Sequence, residues 1–263
     1  MKNNILKNIA LIALLSFSFT ANVCASEITS DMIQLVDLAG KQRMLSQRIA
    51  KDYMYAGKGI ASSKANKQLT NSIKELKTAH QKLVASINNP EIINLLTFVE
   101  MSSEDFEATA KEEFTPDNAQ LILDLSESML EGSDYVVTSL KETTGLKASK
   151  VVDMAGRQRM LSQRIAKYYI AYQSGIKDKN TVEQMKKAVK LFSESHSTLM
   201  ANSTNTPEIN RELNKIDRLW KIVYKFYLNI EKGGLPLIVF NTTDDINKKM
   251  NKITALYVEL SNK

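Results

Sequence analysis

Apolar residues recur at three- and four-residue intervals along almost the whole chain, and no stretch alternates convincingly with period two. That pattern predicts an all-α protein. The breaks fall in two matching sets. In the first, a helix over about 30–56 stops near Gly57 and Gly59, and a second covers about 62–87. A third opens at Asn89-Pro90-Glu91, where Asn caps, Pro suits the first turn and Glu complements the helix dipole. A fourth opens at Thr115-Pro116-Asp117 by the same logic, with Leu121, Leu125, Met129, Val136 and Leu140 as its apolar face. In the second set the first helix ends near Gly175. The third opens at Thr206-Pro207-Glu208 and carries Ile209, Leu213, Ile216, Trp220, Val223, Tyr227 and Ile230; the fourth starts near Pro236. Only Thr143-Thr144-Gly145 separates the sets, so the fourth helix is expected to lead almost directly into the fifth. The expected architecture is two tandem antiparallel four-helix bundles, over 26–146 and 147–263.

The two sets share one stretch far beyond what packing needs. The sixteen residues from Val36 to Lys51 return from Val152 to Lys167, shifted by 116, with only Leu38/Met154 and Lys41/Arg157 differing. A duplicated packing helix needs to keep only its apolar pattern. Here the polar residues are kept too, which points to a polar task.

On a helical wheel Val36, Ala39, Arg43, Ala50 and Met54 share one sector, with Gly40 and Gln47 at its edge. Leu38, Leu45 and Ile49 form a second apolar sector, while Lys41, Arg48 and Asp52 lie on the polar side. Arg159 sits in the second copy as Arg43 does in the first, with Gly156 and Gln163 matching Gly40 and Gln47. Small neighbours let another helix come close. A guanidinium buried there cannot shed its proton and needs an acceptor. Asp37 and Asp153 are better placed for Lys41 and Arg157, so the acceptor is expected from another helix or from a ligand. If the two motif helices face each other across a pseudo-twofold axis, Arg43 and Arg159 converge. At about 4 Å and an intermediate dielectric they repel by roughly 4 kcal/mol, and an anion between them reverses that sign. Guanidinium forks suit a small planar oxyanion. The expected ligand-binding set is therefore Arg43, Arg159, Gln47, Gln163, Gly40 and Gly156.

The run Ala-Gly-Lys/Arg-Gln-Arg-Met-Leu-Ser-Gln-Arg-Ile-Ala-Lys resembles the first helix of the N-terminal domain of type IV pili methyl-accepting chemotaxis transducers (PilJ-type). That family is related to the periplasmic sensor domain of nitrate/nitrite sensor kinases. The resemblance implies a four-helix-bundle sensing domain. In the nitrate/nitrite sensors an arginine of this helix from each of two protomers binds the anion, and the matching positions are Arg43 and Arg159. Two copies in one chain imply an internal pseudo-dimer, a homodimer being the other arrangement.

Composition narrows the rest. Lys2, Lys7 and the apolar run Ile9 to Phe19 read as a signal peptide over 1–25, cleaved near Ala25, so the expected location is periplasmic. Cys24 is the only cysteine, which leaves no thiolate or disulfide in the exported chain. The formal charge of +6 is spread over many lysines with no dense basic block, which argues against nucleic acid. His80 and His196, also 116 apart, give one histidine per bundle, too few for a metal, and no haem-attachment motif exists; no metal and no cofactor are expected. Ser46 and Ser162 lie mid-helix without a base beside them. Ser102, Ser103, Glu104, Asp105 and Glu107 read as a solvated face, so no catalytic residue is expected. The function expected is a sensory module that binds a small anion, nitrate or nitrite, between the motif helices. It would signal through a membrane-bound sensor kinase or chemotaxis transducer. The alternative is a structural or adaptor bundle that packs against such a receptor.

Overall fold

The computed structural model describes residues 31–145, 147–232 and 234–261. The expected signal peptide and Cys24 lie outside them. Among the described residues every regular element is helical: α1 (31–57), α2 (Ser62–Ser86), α3 (Pro90–Lys111), α4 (Pro116–Thr144), α5 (Lys147–Gln173), α6 (Lys179–Met200), α7 (Pro207–Leu228), a 3-10 turn (Ile230–Lys232) and α8 (Pro236–Ser261). The three Pro-marked starts are capped as expected. Asn89 accepts from the backbone N–H groups of Glu91 and Ile92, Thr115 from that of Asn118, and Thr206 from that of Ile209. Asp178 caps α6 in the same way through the Thr181 N–H.

The chain reverses between α4 and α5. Gly145 closes α4 in the left-handed region, at φ 60°, which a residue without a Cβ adopts freely. The two helices then run antiparallel, with Lys141 on Asp153 at one end and Glu127 on Lys167 at the other. Arg43 on Asp134 and Gln47 on the Ser126 carbonyl make α1 antiparallel to α4 as well. It follows that α1 and α5 lie parallel.

The halves pack side by side. In the first, α2 packs on α3 and α3 on α4, and Gln42 and Lys41 of α1 reach His80 and Glu75 of α2. The second repeats this order through α5, α6, α7 and α8. Contacts across the junction come mainly from α1 and α4 on one side and α5 and α8 on the other, with Lys64 and Gln68 of α2 also reaching Asp244 of α8. The Tyr55 ring lies 4.7 Å from that of Phe240, and its hydroxyl donates to the Pro236 carbonyl. One hydrophobic core runs through both halves.

This arrangement explains where the helical wheel misplaced residues. From Gln42 to Tyr55 every residue of α1 except Arg48 is buried, as is every residue of α5 from Gln158 to Ala171 except Arg164. A helix covered on one side by its own bundle and on the other by the second half has almost no solvent face. Asp52, expected on the polar side, is therefore fully buried. On α4 the buried face holds Ile122, Leu123, Met129, Leu130, Val136, Val137 and Leu140, whereas Leu121 is exposed and Leu125 half-buried. The apolar positions of α7 are buried as the spacing predicts.

The cap of α3 gives a direct check. Asn89→Ala removes two backbone hydrogen bonds and is expected to lower stability by about 1 kcal/mol, read as a lower urea midpoint at unchanged slope.

Candidate functional site

The repeated stretch lies at the junction of the halves, and its polar residues build that junction. Gly40 and Gly156 let α1 and α5 approach where the two arginines end. A Cβ on Gly40 would stand 3.3 Å from Nη2 of Arg43 and 3.5 Å from Nη2 of Arg159; one on Gly156 would stand 3.1 Å from Nη2 of Arg159 and 3.8 Å from that of Arg43. Both guanidinium groups therefore occupy one small space between the parallel helices. The convergence expected from the wheel is present.

Their acceptors are present too. Nη2 of Arg43 donates to Oδ1 of Asp153 at 2.5 Å, and Nη2 of Arg159 donates to Oδ1 of Asp37 at 2.5 Å. Each arginine thus pairs with the motif aspartate of the other copy, in a reciprocal exchange across the pseudo-twofold axis. The aspartates serve the opposite arginines rather than mainly Lys41 and Arg157. Only a looser Arg157–Asp153 approach, at 3.9 Å, follows the local spacing. The acceptors come from another helix, one of the two sources the sequence allows.

The exchange is not fully symmetric. Nη1 of Arg43 also donates to Asp134 at 2.7 Å, while Nη1 of Arg159 donates to the amide oxygen of Asn251 at 3.3 Å. These acceptors are equivalent, because in the fourth helices the halves are offset by 117: Gln47 donates to the Ser126 carbonyl and Gln163 to that of Thr243. Arg43 consequently has two carboxylates and Arg159 one. Arg43 is sealed, whereas Asp37, the single carboxylate of Arg159, has a side chain 31% exposed. A surface depression of about 650 Å³, lined partly by Asp31, Asp37, Lys82 and Ser86, leads to it. In both arginines Nε is buried without an acceptor.

Gln47 and Gln163 do not join the arginines. Their amides donate into α4 and α8 of their own halves, because those carbonyls lie one turn away on the facing helix. Ser46 and Ser162 bond back to the carbonyls of Arg43 and Arg159. Two further residues of the stretch make crossings the wheel did not suggest. Buried Lys51 reaches Asp244 of α8 at 2.6 Å, and buried Lys167 reaches Glu127 of α4 at 2.5 Å. These are again equivalent contacts made in opposite directions. The signal for them was the retention of Lys as the last residue of both copies.

Electrostatics follow from this burial. Burial raises the Asp153 carboxyl, but Arg43, Lys141 and Arg157 outweigh it and hold it below the usual range. Burial likewise raises Glu127 and Asp244, and Lys167 with Arg164, or Lys51 with Gln68 and Lys64, more than offsets it. Asp52 goes the other way: burial lifts it to about 6 against Lys51 and Arg48.

The fold and junction define a tandem helical-bundle module whose two halves meet through paired motif helices. The chain belongs to the family of type IV pili methyl-accepting chemotaxis transducer N-terminal domains, whose model matches residues 30–94 and 143–232. The matched segments include both motif helices. A search of curated proteins and a search of solved structures each found no match.

Two outcomes follow from the geometry. Gly156→Ala gains up to about 1 kcal/mol of helix propensity but pushes its methyl into the paired guanidinium groups. Asp37 holds Nη2 of Arg159 in place, so the contact is expected to offset the propensity gain and the melting temperature is expected not to rise. Acid exposes the second. Asp153, Asp244 and Glu127 titrate lower folded than unfolded, so their stabilisation is full above their ordinary values of 3.8 and 4.5 and is lost as pH falls below them. Asp52 titrates higher folded, so its proton uptake adds stability as pH falls through about 6. Burial lowers His80 and His196, which lose stability as pH falls below 6.5 and so oppose the Asp52 gain. The melting temperature is expected to drop steeply below pH 4; Asp153→Asn should blunt that drop, and Asp52→Asn should make the decline from pH 7 to pH 5 steeper than in the wild type.

Proposed function

We propose that this chain is an exported sensory module whose ligand-responsive element is the Arg43–Arg159 junction. The ligand is a small planar oxyanion, with nitrate and nitrite the first candidates. The observation that carries this reading is the convergence of two buried guanidinium groups at Gly40 and Gly156, each with an Nε–H that has no acceptor. Such a donor costs about 1–3 kcal/mol while unsatisfied. An incoming oxyanion displaces the Asp37 carboxylate, the more accessible of the two, and bridges both arginines. That exchange loosens one of the contacts that join the halves. A membrane-bound transducer or sensor kinase reads the altered junction.

A specific observation favours a second reading. Each arginine already has a carboxylate, so the junction is electrostatically complete without a ligand. In that case the module is an adaptor whose paired helices hold the halves rigid against a receptor of the same family.

Calorimetry and thermal melting with nitrate and nitrite separate the two. A sensor gains stability by mass action, about 2.7 kcal/mol at a hundredfold excess over Kd. Asp37→Asn removes the competing carboxylate and is expected to tighten anion binding severalfold, while Arg159→Ala abolishes it. If neither anion moves the melting temperature of the wild type or of Asp37→Asn, the adaptor reading stands.

A further inference from the structure

A cavity of about 250 Å³ opens between α2 and α3 of the first half, away from the arginine junction. Gln42 and His80 are among its lining residues, with Lys77, Ser103, Glu104 and Glu107. Gln42 is fully buried, and its Nε2 donates to Nδ1 of His80 at 3.3 Å. With the Gln42 amide in this orientation Nδ1 of His80 accepts, which puts the ring proton on Nε2. That donor is buried without a hydrogen-bond partner, as is Oε1 of Gln42. The nearest carboxylate oxygen, Oε2 of Glu100, lies 3.9 Å from the His80 nitrogen, too far for a hydrogen bond. A matched donor and acceptor thus stand at the inner end, both unsatisfied.

The second half is closed at the matching place. The openings Asn89-Pro90-Glu91-Ile92 and Thr206-Pro207-Glu208-Ile209 align the third helices with an offset of 117, which sets Trp220 against Ser103. On the second helices Phe192 stands against Leu76 and His196 against His80. There the Phe192 ring lies 4.1 Å from Trp220 and stacks on His196, and Gln158 bonds to Ser195 and the Phe192 carbonyl. At the level of His196 aromatic rings fill the second half, where a serine and a leucine leave the first half open; the pocket of about 220 Å³ between α6 and α7 lies farther along, at Val189, Ser193, Tyr224 and Tyr227.

The rim carries an excess of acid, three glutamates to one lysine. Glu107 is taken by Lys77 and Lys111. Glu100 and Glu104, one turn apart on α3, have no lysine or arginine among the ion pairs of the described residues. Like charges at that spacing repel by a few tenths of a kcal/mol, and a cation between them relieves it.

We infer that this cavity is a binding site for a small primary amine that also carries a hydroxyl or carbonyl group. The ammonium sits between Glu100 and Glu104. The oxygen accepts from Nε2 of His80, and a hydroxyl can also donate to Oε1 of Gln42. Gln42 directly precedes Arg43 on α1, so the occupied cavity touches the turn that carries the junction. The inference does not depend on anion binding there.

The test is calorimetry on the exported chain with ethanolamine, using ethylene glycol and acetate as uncharged and anionic controls. Ethanolamine is expected to bind saturably and the controls not to bind. Ser103→Trp, which copies the plug of the second half, should weaken binding at least tenfold. So should the surface double variant Glu100→Gln with Glu104→Gln, which keeps the test valid if the tryptophan disturbs folding. Asp37→Asn should leave amine binding unchanged. No heat with ethanolamine at millimolar concentration, or equal binding by the wild type and the double glutamine variant, overturns the assignment.

Discussion

Two buried guanidinium groups cannot share one small space unless negative charge is brought to them, and this protein brings it from the opposite repeat. Arg43 takes Asp153 and Arg159 takes Asp37, and Arg43 alone has a second carboxylate, Asp134, from its own half. The cost of desolvating these ions is several kcal/mol each, and it is recovered only with both partners in place. Separating the halves would strip Arg159 of Asp37 and leave Arg43 with Asp134 alone. The junction is thereby made specific: α1 and α5 must lie parallel, in this register, with glycines at the closest point. The Lys51–Asp244 and Lys167–Glu127 crossings repeat the same exchange farther along the helices.

Duplication supplied a symmetric frame, and single substitutions then made the halves unequal. Asn251 stands where the first half has Asp134, so Arg159 is less fully compensated than Arg43. Trp220 stands where the first half has Ser103, so beside His196 the second bundle is filled where the first is open. The shared core means that a change in either half is felt at α1 and α5.

Much of this was legible in the chain. Helical periodicity and three Pro-marked caps located the helices, because caps are local chemistry satisfied within one turn. The near-identity of two sixteen-residue stretches located the junction, and Asp37, Arg43, Lys51 and their counterparts all lie within it. What the wheel misjudged was Asp52 and the direction of Gln47 and Gln163. A wheel assumes one buried side, and α1 has two. The polar residues Ser102 to Glu107 read as a solvated face, and Glu104 and Asp105 are exposed. That Ser103 and Glu104 also line a cavity depended on what stands opposite them on α2.

By itself the sequence determined the class of fold, the helix boundaries, the duplication and the identity of the two arginines that meet. Those follow from short-range spacing and from residue types that burial constrains strongly. Only the tertiary structure decided which aspartate answers which arginine, where the glutamines turn, and that one bundle is hollow where its copy is filled. These depend on contacts between residues about 30 to 190 positions apart, for which no local pattern sets the partner.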